Sequence, residues 1–344
     1  LFEYKRQLLS AYRPVKGTRG VVGIPMGLNF YENLPFWHAF FTTLGYEVIV
    51  SPPSTRNLYL RGQATIPSDT VCYPAKLMHG HIDALLRMGA DTIFYPCMSY
   101  NFDEHLSDNH FNCPVVAYYP EVAAANIRAL GRVKFIYDYL DLSDPKRFVK
   151  KAVSVFRRSF GELTEREIRN AANAAYTEYA AYTAQVRRKG EETLEEARRR
   201  NLPVIVLCGR PYHLDPEINH GIDELIRLMG AVVVSEDALG NLLHRAETSV
   251  LNQWTYHARL YAAAEFVCAQ SAVQPIDLVQ LVSFGCGIDA ITTDEMRSIL
   301  ESHGKLYTQL KIDEITNLGA VRIRLRSLFS ALEDSREGGE TKQP

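Results

Sequence analysis

Short apolar runs that end in glycine or proline recur along the chain, and each is followed by a segment whose apolar residues have helical spacing. Apolar runs of this length predict buried strands that lead into loops. The segments between them, which close with Gly45 and Gly89, predict helices. Strands that alternate with helices indicate a parallel sheet with right-handed crossovers. The predicted strands of this first unit are 19–25, 46–51, 90–97 and 113–120, with an edge strand or a crossover near 134–142.

The same order of segments begins again near residue 201. The sequence GRPYHLD, from Gly209, resembles GIPMGLN, from Gly23, with glycine, proline and leucine in the same places. Cys97 lies 74 residues beyond Gly23, and Cys286 lies 77 residues beyond Gly209, so the repeat pairs these two cysteines. We interpret this as two tandem Rossmann-like lobes related by internal duplication, the alternative being chance similarity of two generic strand–loop–helix starts. The further matched strands are 231–237 with 46–51, 277–287 with 90–97, and 305–313 with 113–120.

The region between the two units has a different composition. It is rich in Ala, Glu and Arg from 163 to 200 and contains no proline, which predicts one long helix or two consecutive helices. We interpret it as a structural connector, the alternative being a coiled-coil or partner-docking segment. The predicted organisation is a first α/β lobe at 1–145, a helical connector at 146–200, a second α/β lobe at 201–330 and a polar, disordered tail at 331–344.

Composition narrows the class of protein. The chain has 344 residues, of which 47% are hydrophobic and 23% charged, as expected for a soluble protein of about two domains. A net charge of −2 gives no basic field for a nucleic acid, and no apolar run reaches the roughly 18 residues of a membrane span. The start has neither a secretory signal nor an initiator Met, which indicates a fragment of a longer protein. Six widely spaced cysteines do not resemble a disulfide scaffold, so we expect the protein to be located in the reducing cytoplasm.

Four cysteines lie where predicted strands end or predicted helices begin: Cys72, Cys97, Cys113 and Cys286. A thiol at a helix start has its thiolate stabilised by exposed backbone amides, and cysteines that converge can hold a metal or an iron–sulfur cluster. The alternative is that each is a small buried hydrophobe, and the spacing leaves both interpretations open. The sequence has neither the C-x2-4-C pair typical of structural zinc nor a C-x-x-C redox motif. Cys208 and Cys268 are predicted to be core residues.

Histidines form the second group of candidates. His79 and His81 stand two residues apart on a predicted helix, where their rings point in different directions, so we interpret them as structural. His213 follows the first strand of the second unit, where ligands of α/β folds bind. With Arg210 and Tyr212 it could hold an anionic or thioester substrate, the alternative being a loop-packing role. No dinucleotide or ATP-binding glycine motif is present in the sequence.

Five segments of the sequence are informative: IPSDTVCYPAKLMHGHI, FYPC, NCPVVAYYPE, GRPYHLDPEINHGI and LVSFGCGIDAITTDEM. They resemble the 2-hydroxyacyl-CoA dehydratase-related proteins. The branch that they resemble most is the one related to the activator of 2-hydroxyglutaryl-CoA dehydratase. The resemblance covers most of 19–328. It implies two Rossmann-like lobes with an iron–sulfur cluster between them, either [4Fe-4S] or an [8Fe-9S] double cubane. Carried over by motif, Cys72, Cys97 and Cys286 are the implied ligands, with Cys113 as the fourth candidate.

The resemblance also implies a function. The protein would accept low-potential electrons from an ATP-hydrolysing activator of the actin–Hsp70 class, for a difficult reduction or a 2-hydroxyacyl-CoA dehydration, and would be oxygen-sensitive. Activator modules are commonly fused upstream in this branch, and this chain would then be the electron-accepting part. Four cysteine ligands would leave no open iron, which favours electron transfer. A dehydratase-type lyase acting on a CoA thioester would need an open iron position and His213 as a catalytic residue. The alternative is a non-catalytic binding or scaffold module with structural zinc or no metal.

Overall fold

A computed structural model describes residues 1–271, 273–314 and 317–340, with side chains to 333, and its strands form two parallel sheets of four. The first sheet contains β1 (Val21–Ile24), β2 (Glu47–Val50), β3 (Thr92–Phe94) and β4 (Lys134–Ile136), in the order β2-β1-β3-β4. The second contains β5 (Val204–Cys208), β6 (Val232–Val234), β7 (Ile276–Ser283) and β8 (Thr308–Ile312), in the order β6-β5-β7-β8. Because strand order and direction are the same in both, the predicted α/β class with two tandem, duplicated lobes is confirmed.

Helices flank both sheets. The first lobe carries α1 (Phe2–Ser10), α2 (Phe30–Thr43), α3 (Arg56–Gly62), α4 (Tyr73–Arg87) and α5 (Pro114–Asn126). Next in the chain are α6 (Pro145–Phe160) and α7 (Glu165–Arg199). The second lobe carries α8 (Pro216–Asn219), α9 (Ile222–Leu228), α10 (Thr255–Gln270), α11 (Gly287–Ser302) and α12 (Leu318–Glu340). Short 3₁₀ turns lie at Gln63–Thr65, Arg128–Arg132, Pro211–Leu214 and Glu236–Leu239. The last four residues of the predicted tail at 331–344 lie outside the described residues.

The fourth strand of the first lobe is not where the sequence pattern placed it. The segment predicted as a strand at 113–120 begins helix α5, and the fourth strand is β4. Cys113 is the N-cap of α5, and Pro114 occupies its first turn, where the fixed φ of proline suits a helix and its missing N–H costs nothing. The apolar run at 113–120 was interpreted as a strand because a short buried helix segment and a buried strand can have the same apolar composition.

Helix α7 connects the two lobes along its full 35 residues. It starts with a capping box in which Thr164 and Glu167 satisfy each other's backbone amides. Its buried alanines face α2 of the first lobe, and Gly190 lies against the second lobe. A methyl group at Gly190 would lie 2.3 Å from the backbone oxygen of Ala238, so only glycine allows this close approach. The helix therefore packs on both lobes, consistent with a structural role.

Aromatic side chains fill the space between the first sheet, α2 and α6. Trp37 packs on Phe94 of β3 with ring centroids 4.5 Å apart. The same cluster contains Phe36, Phe40, Phe41, Phe148 and Phe156, all of them fully buried. Burial of such large apolar surfaces is the main term that stabilises the lobe and fixes its helices on the sheet. Among the described residues, no helix has both the length and the apolar character that a membrane crossing requires.

A buried ion network joins the two lobes. Arg259 on α10 of the second lobe pairs with Glu32 on α2 of the first lobe, with 2.6 Å between Nη2 and the carboxylate oxygen. The same guanidinium also pairs with Glu104, in a loop of the first lobe. The hydroxyl of Tyr256 donates to Glu32 at 3.0 Å. Charge-assisted hydrogen bonds in a buried setting are directional, so this network fixes one lobe against the other.

Candidate functional site

Three of the candidate cysteines are N-cap residues of helices. Cys72 precedes α4, Cys113 precedes α5, and Cys286 precedes α11. The first amides of a helix have no partner inside the helix and carry a partial positive charge, so they stabilise a thiolate beside them. The Sγ of Cys113 accepts a hydrogen bond from the Val116 amide at 3.4 Å. Each of the three thiols therefore lies in an electropositive position created by the backbone.

The three N-cap thiols converge from two lobes. Cys72 lies close enough to Cys113 and Cys286 that ionisation of either would raise its pKa, and ionisation of Cys286 would act on Cys113 in the same way. The loop that carries Cys286 touches the loop that carries Cys72, because a methyl group at Gly285 would lie 2.9 Å from the backbone oxygen of Thr70. This contact makes glycine necessary beside Cys286. We call Cys72, Cys113 and Cys286 the thiol cluster.

Burial dominates the acid–base behaviour of Cys72 and Cys113. Burial, and next the charge of Cys113, raise the pKa of Cys72 to about 12. Burial also raises the pKa of Cys113, while the Val116 amide and Arg210 act in the opposite direction. Apolar surroundings disfavour a free thiolate, so Cys72 and Cys113 are protonated at neutral pH when nothing is bound. A cation that binds them would displace the protons, because the thiolate is the ligand form.

Arg210 supplies a buried positive charge beside the thiol cluster. It follows β5, and its Nη2 lies 3.6 Å from the Sγ of Cys286 and 2.9 Å from Nε2 of His257. It forms a buried ion pair with Asp289 in the first turn of α11. Although burial works against the charge, Asp289 raises the pKa of Arg210 well above its usual value. The guanidinium is therefore always charged, and it favours an anionic group at the thiol cluster.

Cys97 occupies a different position. It is fully buried just beyond β3, and its amide donates to the backbone oxygen of Asp138 at 3.1 Å. Burial, and next the charge of Glu121, raise the pKa of Cys97 to about 12. Within the described part of the chain, none of the other thiols is among the groups that shift this pKa.

Cys286 has two counterparts in the first lobe, one by its position at a helix start and one by its position after a strand. Cys113 caps the helix between the third and fourth strands of the first sheet, and Cys286 caps the corresponding helix of the second sheet. Cys113 and Cys286 are therefore equivalent as helix caps. Cys97 and Cys286 also correspond by register, because they lie five residues beyond Thr92 and six beyond Gln280, which pair with equivalent residues of β1 and β5. Cys72 caps α4, and the residue that caps the corresponding α10 is Trp254. The shared Cys-Pro and Cys-x-Pro sequences at 113 and 72 were the signal that could have located the helix start at Cys113.

The fit between these residues and a metal or iron–sulfur group is partial. Thiolates at helix N-termini, backbone amide donors and a nearby cation are the donor set that iron–sulfur clusters use. In the residues that the structure describes, however, no three His, Cys, Asp or Glu side chains form a group that could hold a metal ion as they stand. The thiol cluster thus has the donor chemistry of such a group, but the described side chains do not form a finished site for it.

The histidines have mainly structural surroundings. His81 is held between the hydroxyls of Ser51 and Ser54 at 2.8 and 3.0 Å, and burial lowers its pKa to about 3. His79 bonds Thr65 and Tyr119. These hydrogen bonds hold both rings in place inside the fold, and the structural role of His79 and His81 stays a prediction.

His213 is buried in the short 3₁₀ turn that follows β5 of the second lobe. Its Nδ1 accepts the Arg210 amide at 2.9 Å, while no described residue bonds its Nε2. Burial lowers the pKa of His213 well below its usual value, so the ring is neutral. A catalytic role for His213 stays a prediction. Cys208 and Cys268 pack in or against the core of the second lobe, as predicted.

Comparisons with known proteins give one informative match. A family model described as "CoA enzyme activase uncharacterised domain (DUF2229)" matches residues 21–239, which is more than half of the chain. Among solved structures, the C-terminal domain of glucosamine-fructose-6-phosphate aminotransferase from Francisella tularensis is 8% identical, with a TM-score of 0.22. That alignment covers 94% of this chain and 84% of the other, and at this TM-score it carries no conclusion about function. No curated protein matches the chain.

Proposed function

The chain belongs to the family of CoA enzyme activase uncharacterised domains, and from this premise we propose that it is an iron–sulfur protein that accepts low-potential electrons. The observation that carries the proposal is the convergence of three thiols at the N-termini of α4, α5 and α11. Iron–sulfur clusters are held by cysteine thiolates, and their potential is set by nearby amides, charge and burial. When bound, such a cluster would supply one-electron chemistry.

The residues around the thiol cluster would each have a separate task. Cys72, Cys113 and Cys286 would bind the cluster, and Cys97 is the fourth candidate ligand. Arg210 would offset part of the negative charge of the site, and Asp289 would hold that guanidinium in place. The backbone amides of Ala75 and Val116 lie beside two of the sulfurs and would donate to them. Such donors stabilise a reduced, more negative site and raise its potential.

The position of the thiol cluster near the surface supports electron transfer. Cys286 is half-buried, and the residues beside it, Gly285 and Gly287, are exposed. Phe284 is 77% exposed, which is unusual for a phenylalanine and leaves an apolar surface next to the site. A partner could therefore approach to within electron-transfer distance of the thiols. We propose an ATP-hydrolysing activator as that partner, in the cytoplasm, with a difficult reduction or a 2-hydroxyacyl-CoA dehydration as the reaction that uses the electrons.

Anaerobic purification followed by iron and sulfide analysis and EPR tests the proposal. We expect iron and acid-labile sulfide in the wild type, and a large loss of both after substitution of Cys72, Cys113 or Cys286 by alanine. Cys268→Ala is the matched control, because that cysteine is also partly buried but lies in α10 away from the site. Cys97→Ala tests the fourth ligand. Wild-type protein that takes up neither iron nor sulfide would refute the proposal, and bound zinc without visible absorbance would favour a structural metal in a binding module.

A catalytic role in a CoA-dependent dehydration is a separate question from electron transfer. His213 is the candidate residue for it, and its unbonded Nε2 is the atom that could carry a proton. His213→Gln should abolish turnover of a 2-hydroxyacyl-CoA while leaving the iron content unchanged if the protein is a lyase. Loss of stability with no effect on turnover would assign His213 to packing.

A further inference from the structure

Helix α6 has a strongly basic solvent-facing side. The helix carries six lysine and arginine residues and no acidic residue, and all six are exposed. Two of them pair with carboxylates, Arg147 with Asp144 at 3.5 Å and Arg158 with Asp138. Among the described residues, the other four form no ion pair: Lys146, Lys150, Lys151 and Arg157. A basic helix face by itself is only solvated, so a ligand site requires a second feature beside it.

The second feature is a cleft of about 280 Å³ between α6 and the loop that follows β4. Its volume lies at the lower end of the roughly 300–1,000 Å³ typical of small-molecule sites. Arg147 and Lys151 are four residues apart on α6, so they lie on the same side of the helix and both line the cleft. We call this the tyrosine cleft, and its walls include Tyr100, Tyr139, Leu140, Asp141, Arg147 and Lys151.

Both tyrosines of the cleft are exposed, and other residues hold their rings in place. The side chains of Tyr100 and Tyr139 are 37% and 42% exposed. Tyr100 packs on Phe111 with ring centroids 4.9 Å apart. The hydroxyl of Tyr139 donates to Glu121 at 2.8 Å. Rings that are already ordered lose little freedom when a ligand binds, and aromatic rings of this kind stack with planar bases. The tyrosine cleft therefore combines ordered aromatic walls with a cationic rim.

We propose that the tyrosine cleft binds a nucleotide. The base packs against the rings of Tyr100 and Tyr139. The phosphate lies against Arg147, whose planar guanidinium suits two phosphate oxygens, and against the ammonium of Lys151. The carboxylate of Asp141 accepts a hydrogen bond from a sugar hydroxyl, and its charge keeps the phosphate on the α6 side. Such a site needs no glycine-rich phosphate loop, because side-chain cations make the phosphate contacts. It involves none of the three thiols of the thiol cluster, and it does not depend on the proposed function.

Isothermal titration calorimetry of the purified protein with AMP, adenosine and inorganic phosphate tests the proposal at low ionic strength. AMP should bind roughly tenfold more tightly than either fragment, because only AMP uses both the rings and the cations. Lys151→Ala should weaken AMP binding roughly tenfold. Lys150→Ala is the matched control, since the neighbouring lysine is equally exposed and forms no ion pair but does not line the cleft. Tyr139→Leu should also weaken binding roughly tenfold, whereas Tyr137→Leu, at 40% exposure outside the cleft, should leave it unchanged.

Three results would overturn the inference. One is the absence of AMP binding at millimolar concentration. Another is an equal loss of affinity in Lys150→Ala and Lys151→Ala, since a basic surface that attracts any anion would respond in that way. The third is binding of inorganic phosphate as tight as that of AMP, because the tyrosine rings would then contribute nothing. The iron and sulfide content of the same preparations reports separately on the proposed function, since no variant changes a candidate cysteine.

Discussion

The buried ion network between the lobes gives a prediction with a calculable size. The change is Arg259→Met, which keeps most of the side-chain volume and removes the charge. It leaves Glu32 and Glu104 without the cation that both of them contact. The side chains of Arg259 and Glu32 are only 4% and 7% exposed, so water cannot replace the lost partner. Removal of one partner from a buried ion pair costs about 3–5 kcal/mol.

Protonation limits this cost and makes it depend on pH. Burial already raises the pKa of Glu32 above its ordinary 4.5, while Arg259 acts to lower it. A stranded carboxylate can escape by taking up a proton, which costs about 4 kcal/mol at pH 7.5 and about 0.7 kcal/mol at pH 5. A carboxyl with a raised folded-state pKa contributes stability below its unfolded pKa and loses it as pH rises through the folded pKa. The free energy of unfolding of the variant should therefore fall by about 3–5 kcal/mol at pH 7.5. At pH 5 this loss should be about 2–3 kcal/mol smaller.

Urea unfolding followed by circular dichroism at pH 7.5 and pH 5 measures both values. Arg245→Met is the matched control, because Arg245 also pairs across the lobes, with Asp108, but both side chains are 50% exposed. Exposed ion pairs contribute about 0–1 kcal/mol, so the control should change little at either pH. A loss below about 1 kcal/mol for Arg259→Met at pH 7.5, or an equal loss at pH 5, would refute the reasoning.

Further predictions concern a histidine, a helix contact and a second ion pair. Burial lowers the pKa of His81 to about 3. The neutral ring therefore contributes fully to the stability of the fold above the unfolded-state pKa of 6.5, and this contribution is lost as the pH falls toward 3. In the His81→Gln variant, the midpoint of urea unfolding should therefore decline less between pH 7 and pH 4. Gly80→Ala would place a methyl group 2.2 Å from the backbone of α3, so we expect a loss of roughly 2 kcal/mol in urea unfolding, whereas Gly131→Ala, which meets open space, should cost little. Asp289→Asn leaves the buried charge of Arg210 unpaired and should cost about 3–5 kcal/mol, measured by thermal unfolding.

Local sequence patterns predicted the repeated architecture because they depend on residues close together in the chain. Apolar runs that end in glycine located β1 and β5, and the shared glycine and proline after each of them revealed the duplication. A proline after the cysteine correctly indicated a helix start at Cys72. The same signal was present at Cys113, but the apolar run that follows it was interpreted as a strand. This interpretation placed the fourth strand of the first lobe wrongly.

The amino-acid sequence by itself determined the two α/β lobes, their order and the set of cysteines, since periodicity and turn residues act over a few positions. Only the tertiary structure decided which groups meet. It brought Cys72, Cys113 and Cys286 together, and it placed Arg210 against Asp289, 79 residues further along the chain. These relations depend on how two sheets dock, and no local pattern in the sequence encodes the distance between residues from different lobes.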